Sequence, residues 1–178
     1  MNVEQLIDHL REDKGFLSCV SNWEMLPARA AQYAAWPEGV PQKVQDALME
    51  RGITKPYTHQ AEAINKALAR EDVCVVTPTA SGKTLCYNVP ILSEVLKNDD
   101  ARALYIFPTK ALSQDQVAEL YELITAMDVD IKTYTYDGDT PAAARKAIRQ
   151  AGHVVVTNPD MLHSNILPHH TKWVKLFE

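Results

Sequence analysis

The chain reads as an α/β protein whose strands run mostly parallel, with helices on both faces of the sheet. Three observations lead there. Apolar runs rich in β-branched residues recur at 73–77, 102–107, 132–136 and 153–157. The segments between them have helical spacing and are long enough to serve as crossovers, which parallel neighbours require. The conspicuous polar residues follow the strands, where a parallel sheet gathers its ligands.

The elements follow in order. Asn2 and Gln5 have capping-box spacing ahead of an apolar stripe at Val3, Leu6, Ile7 and Leu10, with Gly15 as the expected stop. From Phe16 to Gly39 there is no regular period, only aromatics and prolines such as Trp23, Pro27, Tyr33, Trp36 and Pro37, so an irregular surface wrap is expected. Pro41 opens a helix with Val44, Ala47 and Leu48 on its apolar face, Arg51 in its last turn and Gly52 beyond it.

From Lys55 onward the elements alternate. Helix 58–70 leads to strand 73–77, helix 83–97 to strand 102–107, and helix 110–127 to strand 132–136. The stripe of the third of these helices is Val117, Leu120, Tyr121, Ile124 and Met127. A last helix, capped by Thr140 and begun by Pro141, presents Ala144, Ala147, Ile148 and Ala151 before strand 153–157. Pro90 lacks a main-chain donor and is expected to kink or interrupt helix 83–97. Residues 1–56 form a helical and irregular extension, and residues 57–178 the α/β unit.

With 178 residues, 46% of them apolar, the chain can bury one ordinary core. No apolar run approaches the roughly 20 residues needed to cross a bilayer, and the N-terminus lacks the basic start of a signal peptide. A cytoplasmic protein without membrane contact is expected. The net charge of −5 argues against a broad basic face, although backbone amides and helix N-termini hold phosphates without formal charge. Cys19, Cys74 and Cys86 have no metal-ligand spacing and read as reduced core residues, while His163, His169 and His170 read as solvated tail residues.

The most informative segment is Thr77-Pro78-Thr79-Ala80-Ser81-Gly82-Lys83-Thr84. It closes the apolar run Val73 to Val76 and is followed by helical spacing at Leu85, Val89, Leu92 and Leu96. Small residues in such a loop let consecutive N–H groups face an anion, and the next helix adds its positive end. By this pattern Thr79, Ala80, Ser81, Gly82, Lys83 and Thr84 bind phosphates, Lys83 reaching the β- and γ-phosphates and the Thr84 hydroxyl holding Mg²⁺. Thr77 stands where the pattern has its first glycine. The plain alternative is an ordinary strand–turn–helix corner.

Three more signals share this placement. The carboxamide of Gln60 can donate to N7 of an adenine and accept from its N6 amino group, with Tyr57 offering a stacking face, yet Thr58 to Gln60 alone is a capped helix start. Pro108, Thr109 and Lys110 form a proline turn and a threonine cap whose free N–H groups suit a nucleic-acid phosphate. Thr157 and Asn158 follow the last strand, where the same contact or a simple turn explains them. Tyr136 to Thr140 is accounted for as a turn and a cap, and no site is assigned there. Arg145, Lys146 and Arg149 read as a solvated face.

In this order, the four segments resemble the first motor domain of superfamily 2 helicases. The wording Tyr57-Thr58-His59-Gln60, Thr77 to Thr84, Pro108 to Leu112 and Thr157 to His163 is similar to the DExH branch typified by the bacterial mitomycin repair factor. The resemblance spans about residues 25–178, including Pro27-Ala28-Arg29 and Gly52-Ile53. It implies a RecA-like P-loop NTPase domain, incomplete and preceded by the helical extension, that uses ATP and Mg²⁺. Lys83 and Thr84 would be catalytic, Tyr57 and Gln60 would contact the nucleotide, and Pro108, Thr109, Lys110, Thr157 and Asn158 would grip the strand.

The resemblance also implies single-stranded DNA rather than RNA as partner, a role in DNA repair, 3′ to 5′ movement, and a four-cysteine zinc site in a later part of such proteins. Catalysis in this branch needs an acidic pair on a later strand and arginines from a second RecA-like domain of the same parent chain. The sequence reaches Glu178 without that acidic strand. The expectation is therefore a piece ending before the DExH motif, able to bind nucleotide but poor at turning it over. A non-catalytic nucleotide- or nucleic-acid-binding module is the alternative, and a P-loop small-molecule kinase a third reading.

Overall fold

The structure, a computed structural model, describes residues 2–28 and 30–177, so Arg29 of the Pro27-Ala28-Arg29 segment and Glu178 lie outside the described residues. The chain divides into two compact units, residues 1–31 and 32–178.

In the first unit, α1 (Val3–Glu12) begins with the expected capping box: Gln5 N donates to Asn2 Oδ1 at 2.8 Å, and Asn2 N donates to Gln5 Oε1 at 3.0 Å. The expected glycine stop is not used. Asp13 ends α1 and caps α2 (Lys14–Ser18), accepting from Gly15 N and Phe16 N, so Gly15 lies inside a helix. A carboxylate that takes two free amides out-competes a glycine break.

The second unit is built on a three-stranded parallel sheet in the order β1-β3-β2, where β1 is Ala103–Ile106, β2 is Thr133–Thr135 and β3 is Val154–Thr157. Leu104 and Tyr134 both pair with Val155, which places β3 at the centre and leaves all four of its residues buried. Its valines alternate between two cores, as period-2 geometry requires. Val154 and Val156 join Leu48, Ile64, Val89, Leu92, Leu120 and Leu123. Val155 joins Tyr136, Ile148, Ile166 and Trp173 on the opposite face.

The first of these cores is formed by α3 (Gln42–Glu50), α4 (Thr58–Leu68), α5 (Thr84–Lys97) and α6 (Lys110–Ala126), and the second by α7 (Ala142–Ala151) with the turns of residues 159–173. Helices thus cover both faces of the sheet. Pro90 is buried within α5, which continues as one helix to Lys97 rather than breaking.

Several expectations are corrected. Residues 73–77 join no strand among the described residues, with Val73 40% and Val76 88% exposed. A β-branched run becomes a strand only beside a partner, and a cavity of about 900 Å³ lined by Val73, Val75, Tyr87, Arg102 and Phe177 adjoins this one. The sheet therefore has three strands rather than four. Cys74 and Cys19 are exposed, and only Cys86 is buried. Helix α4 stops at Leu68, with Arg70 in the left-handed region at φ 64°.

Thr140 does not cap α7: its hydroxyl accepts from Asp137 N at 2.9 Å, and Pro141 takes the cap position instead. Ala147 is exposed, whereas Arg145 and Arg149 are half-buried, their guanidinium groups over the rings of Tyr136 at 5.4 Å and Trp173 at 5.9 Å. Two of the three expected surface cations therefore cover aromatic core residues. Among the described residues no helix is long and apolar enough to cross a membrane.

Candidate functional site

The loop of residues 77–84 forms around the Lys83 side chain. Its ammonium donates to the carbonyl oxygens of Thr77 at 2.8 Å and Pro78 at 2.7 Å, with the hydroxyls of Thr77 and Ser81 at 3.2 and 3.3 Å. Thr77 and Ser81 share a hydroxyl hydrogen bond of 2.6 Å. The residue standing in the first-glycine position therefore braces the loop through its side chain.

The amides face a different fate. Among the described residues, no protein acceptor takes the N–H groups of residues 79–84. Six consecutive unengaged donors at the start of a fourteen-residue helix are chemically able to hold an anion, and α5 adds its positive end. Backbone geometry keeps them so: Ala80 has φ 60° and Gly82 φ 73°, values outside the helical continuation that would pair these groups.

Gln60 anchors this loop. Its carboxamide, 2% exposed, donates to Gly82 O at 2.8 Å and accepts from Tyr57 N at 2.8 Å, while the His59 ring contacts Ser81 O at 3.1 Å. In this conformation Gln60 is a brace between α4 and the loop. The cavity of about 680 Å³ beside it is lined by Tyr33, Thr54, Lys55, Tyr57, Gln60 and residues 80–85, and its size suits a nucleotide.

Sequence reasoning missed two contributors. Tyr33 stacks on Tyr57 with centroids 5.2 Å apart, and Tyr57 in turn stacks on His59 at 5.9 Å. Tyr33 is held there by a bridge to Tyr57 and by hydrogen bonds from Ala34 N to Pro56 O and from Thr58 N to Gln32 O. The second is Gln116 of α6, whose Oε1 accepts from the Thr84 hydroxyl at 3.1 Å and also from the Tyr87 hydroxyl. No local spacing signals either pairing, because both join residues distant in sequence.

Of the strand-end residues, Lys110, Thr157 and Asn158 line a second, smaller cavity of about 390 Å³ with Gln114, Asp137 and Asp139, whereas Pro108 and Thr109 lie outside its lining. Pro108, Thr109 and Lys110 are exposed at the start of α6, where Thr109 accepts from Leu112 N at 3.3 Å. Asn158 is half-buried, and its Oδ1 accepts from Met161 N at 2.8 Å, which leaves its amide NH₂ available. Thr157 is 2% exposed, and its hydroxyl donates to Tyr136 O at 2.7 Å, so the proton of the hydroxyl is spent on the sheet although the residue borders the cavity.

The turn of residues 137–140, to which the sequence assigned no site, supplies the counter-charge. Asp139 pairs with Lys110, lifting the lysine above its ordinary pKa and holding the aspartate below the usual carboxylate range. Among the described residues no cluster of His, Cys, Asp and Glu is arranged to hold a metal ion.

Known proteins resemble this chain in sequence and fold. Residues 57–177 match the model of the DEAD/DEAH box helicase family. The chain is 51% identical over 177 residues to the ATP-dependent helicase YprA of Bacillus subtilis, covering 99% of this chain and 23% of that protein. It is 36% identical over 182 residues to the ATP-dependent helicase hrq1 of Schizosaccharomyces pombe, covering 99% of this chain and 17% of that protein. Among solved structures, the DUF1998 helicase MrfA bound to DNA and AMPPNP superposes with a TM-score of 0.88 at 50% identity, over 99% of this chain and 24% of MrfA.

More distant helicases share the RecA-like fold, among them Mss116 at a TM-score of 0.60 and 19% identity. The chain thus spans about a quarter of the length of YprA and MrfA. It belongs to the DEAD/DEAH box helicase family.

Proposed function

We propose that the chain is the nucleotide-gripping part of an ATP-dependent DNA helicase or translocase, acting in the cytoplasm and in DNA repair. The observation that carries this reading is the row of unengaged amides at residues 79–84, which meets an ammonium and a hydroxyl at the mouth of a nucleotide-sized cavity. When ATP and Mg²⁺ bind, the metal supplies charge neutralisation at the phosphates. The residues of the chain would do the rest: the amides would hold phosphate oxygens, Lys83 would leave its loop carbonyls for the β- and γ-phosphates, Thr84 would present its hydroxyl oxygen to the cation, and the Tyr33–Tyr57 stack would form an aromatic wall beside the base.

Single-stranded DNA crosses the second cavity, contacted by the free start of α6 at Thr109 and Lys110 and by the amide of Asn158. A second RecA-like domain closes over the nucleotide and completes catalysis. This reading is tested by ATP hydrolysis in the full-length protein with and without single-stranded DNA, beside Lys83→Ala. Hydrolysis stimulated by DNA and abolished by the substitution is expected. Hydrolysis indifferent to both rejects the motor, and nucleotide binding without DNA-stimulated hydrolysis favours a non-catalytic module.

A further inference from the structure

The polar contact between α5 and α6 is concentrated on one side chain. Among the described residues, the side-chain hydrogen bonds joining these helices both end on Gln116 Oε1, one from the Thr84 hydroxyl at 3.1 Å and one from Tyr87. Thr84 is the first residue of α5, directly after the amide loop, and Tyr87 lies three residues further on, which puts both on one helical face. Gln116 is half-buried, with its backbone in mid-helix.

A threonine hydroxyl has one proton and two lone pairs. A cation needs a lone pair, and the proton must then point away from it. An acceptor fixed on the far side of the hydroxyl secures that orientation; an aliphatic neighbour leaves the hydroxyl free to rotate. From this geometry we infer that Gln116 is a positioning residue, which takes the Thr84 proton and thereby aims the hydroxyl oxygen at the cation that accompanies the nucleotide. The inference rests on the reading of residues 79–84 as a nucleotide site. It assigns to α6 a direct part in that site, about 9 Å along the helix axis from Lys110 at its nucleic-acid end.

Orienting partners of metal ligands affect metal affinity by about 10–100-fold. The experiment measures binding of a fluorescent non-hydrolysable ATP analogue to the full-length protein, in saturating Mg²⁺ and in EDTA, for wild type, Gln116→Leu, Gln116→Glu and Tyr87→Phe. The ratio of the two affinities within each variant is the readout, which a general loss of folded protein does not move. Gln116→Leu should reduce the Mg²⁺-dependent gain about tenfold and leave the EDTA affinity unchanged. Gln116→Glu, which keeps an acceptor, should retain most of the gain, and Tyr87→Phe, which keeps the Thr84 bond, should retain all of it.

An unchanged ratio in Gln116→Leu, or an equal loss with and without Mg²⁺, overturns the inference. A wild-type ratio of one with nucleotide still bound overturns it as well. Failure of the wild type to bind nucleotide under either condition instead rejects the underlying nucleotide-site reading.

Discussion

The Lys83 ammonium is bonded to the carbonyl oxygen of Thr77, six residues before it, at 2.8 Å. Together with its bond to Pro78 O, this makes the lysine the internal tie of the loop it is to serve. In the proposed reading the charge exchanges these neutral carbonyls for phosphate oxygens, which are stronger acceptors.

Lys83→Ala therefore has two separable effects. ATP hydrolysis by the full-length protein should fall about 10²–10³-fold, the ordinary consequence of deleting an electrostatic contact to the transition state. Without nucleotide, cleavage within residues 77–84 by a non-specific protease should accelerate, because the cross-loop ties to Thr77, Pro78 and Ser81 are gone. Loss of hydrolysis with unchanged cleavage would show that the loop is held by something other than its lysine.

Gly82 is constrained twice. Its φ of 73° lies in the left-handed region, and a Cβ there would sit 2.5 Å from Gln60 Nε2, the atom that donates to Gly82 O. Gly82→Ala should cost about 1–2 kcal/mol from backbone strain, and displacement of Gln60 should weaken nucleotide binding besides. Thermal denaturation reads the first and nucleotide titration the second. A melting temperature equal to that of wild type would contradict the backbone described here.

Asp139 is an intramolecular competitor for the phosphate that Lys110 is proposed to hold. Asp139→Asn should tighten single-stranded DNA binding a few-fold, and Lys110→Ala should weaken it and lower the salt slope by about 0.7. The pH dependence follows from the direction of the shift. The Lys110 ammonium, through a hydrogen bond and its charge, holds the Asp139 carboxyl below the usual carboxylate range. A depressed group keeps its ion pair above the unfolded pKa and loses it as pH falls through the folded one. The advantage of Asp139→Asn should thus be flat between about pH 5 and 8 and shrink only below the ordinary carboxylate range. Fluorescence anisotropy across pH checks this, and weaker binding by Asp139→Asn would make the aspartate a support of the site instead.

The parts of the site that were legible in the sequence depend on local chemistry. The phosphate loop, the Thr109 cap and the Asn158 turn each sit within a few residues of the strand end or helix start that defines them, so spacing alone places them. What escaped depends on partners distant in the chain. Val73 to Thr77 has a strand's composition, yet composition supplies no neighbour to pair with. Thr140 reads as a cap, but Asp137 N engages its hydroxyl first. Gln60 reads as an open carboxamide until the fold brings Gly82 against it, and Gln116 carries no motif to mark the thirty-two positions that separate it from Thr84.

Trp173 carries the same lesson into stability. It is 1% exposed and meets Tyr136 edge-on with centroids 4.8 Å apart, although the surrounding sequence of histidines and lysines reads as a solvated tail. The residues after β3 therefore complete the second face of the sheet, and Arg149 of α7 closes over the indole. Trp173→Ala should destabilise the fold by about 3–5 kcal/mol, as removal of a buried aromatic does. Arg149→Ala should cost about 0.5–1 kcal/mol through the lost contact with the ring. The adjacent exposed cation Lys146, with no such ring beneath it, should change stability by less than about 0.5 kcal/mol on replacement by alanine. Urea denaturation of the three variants orders them. Equal effects for Arg149 and Lys146 would return both to the solvated face that the helical pattern alone suggests, and a small effect for Trp173 would detach residues 159–173 from the core.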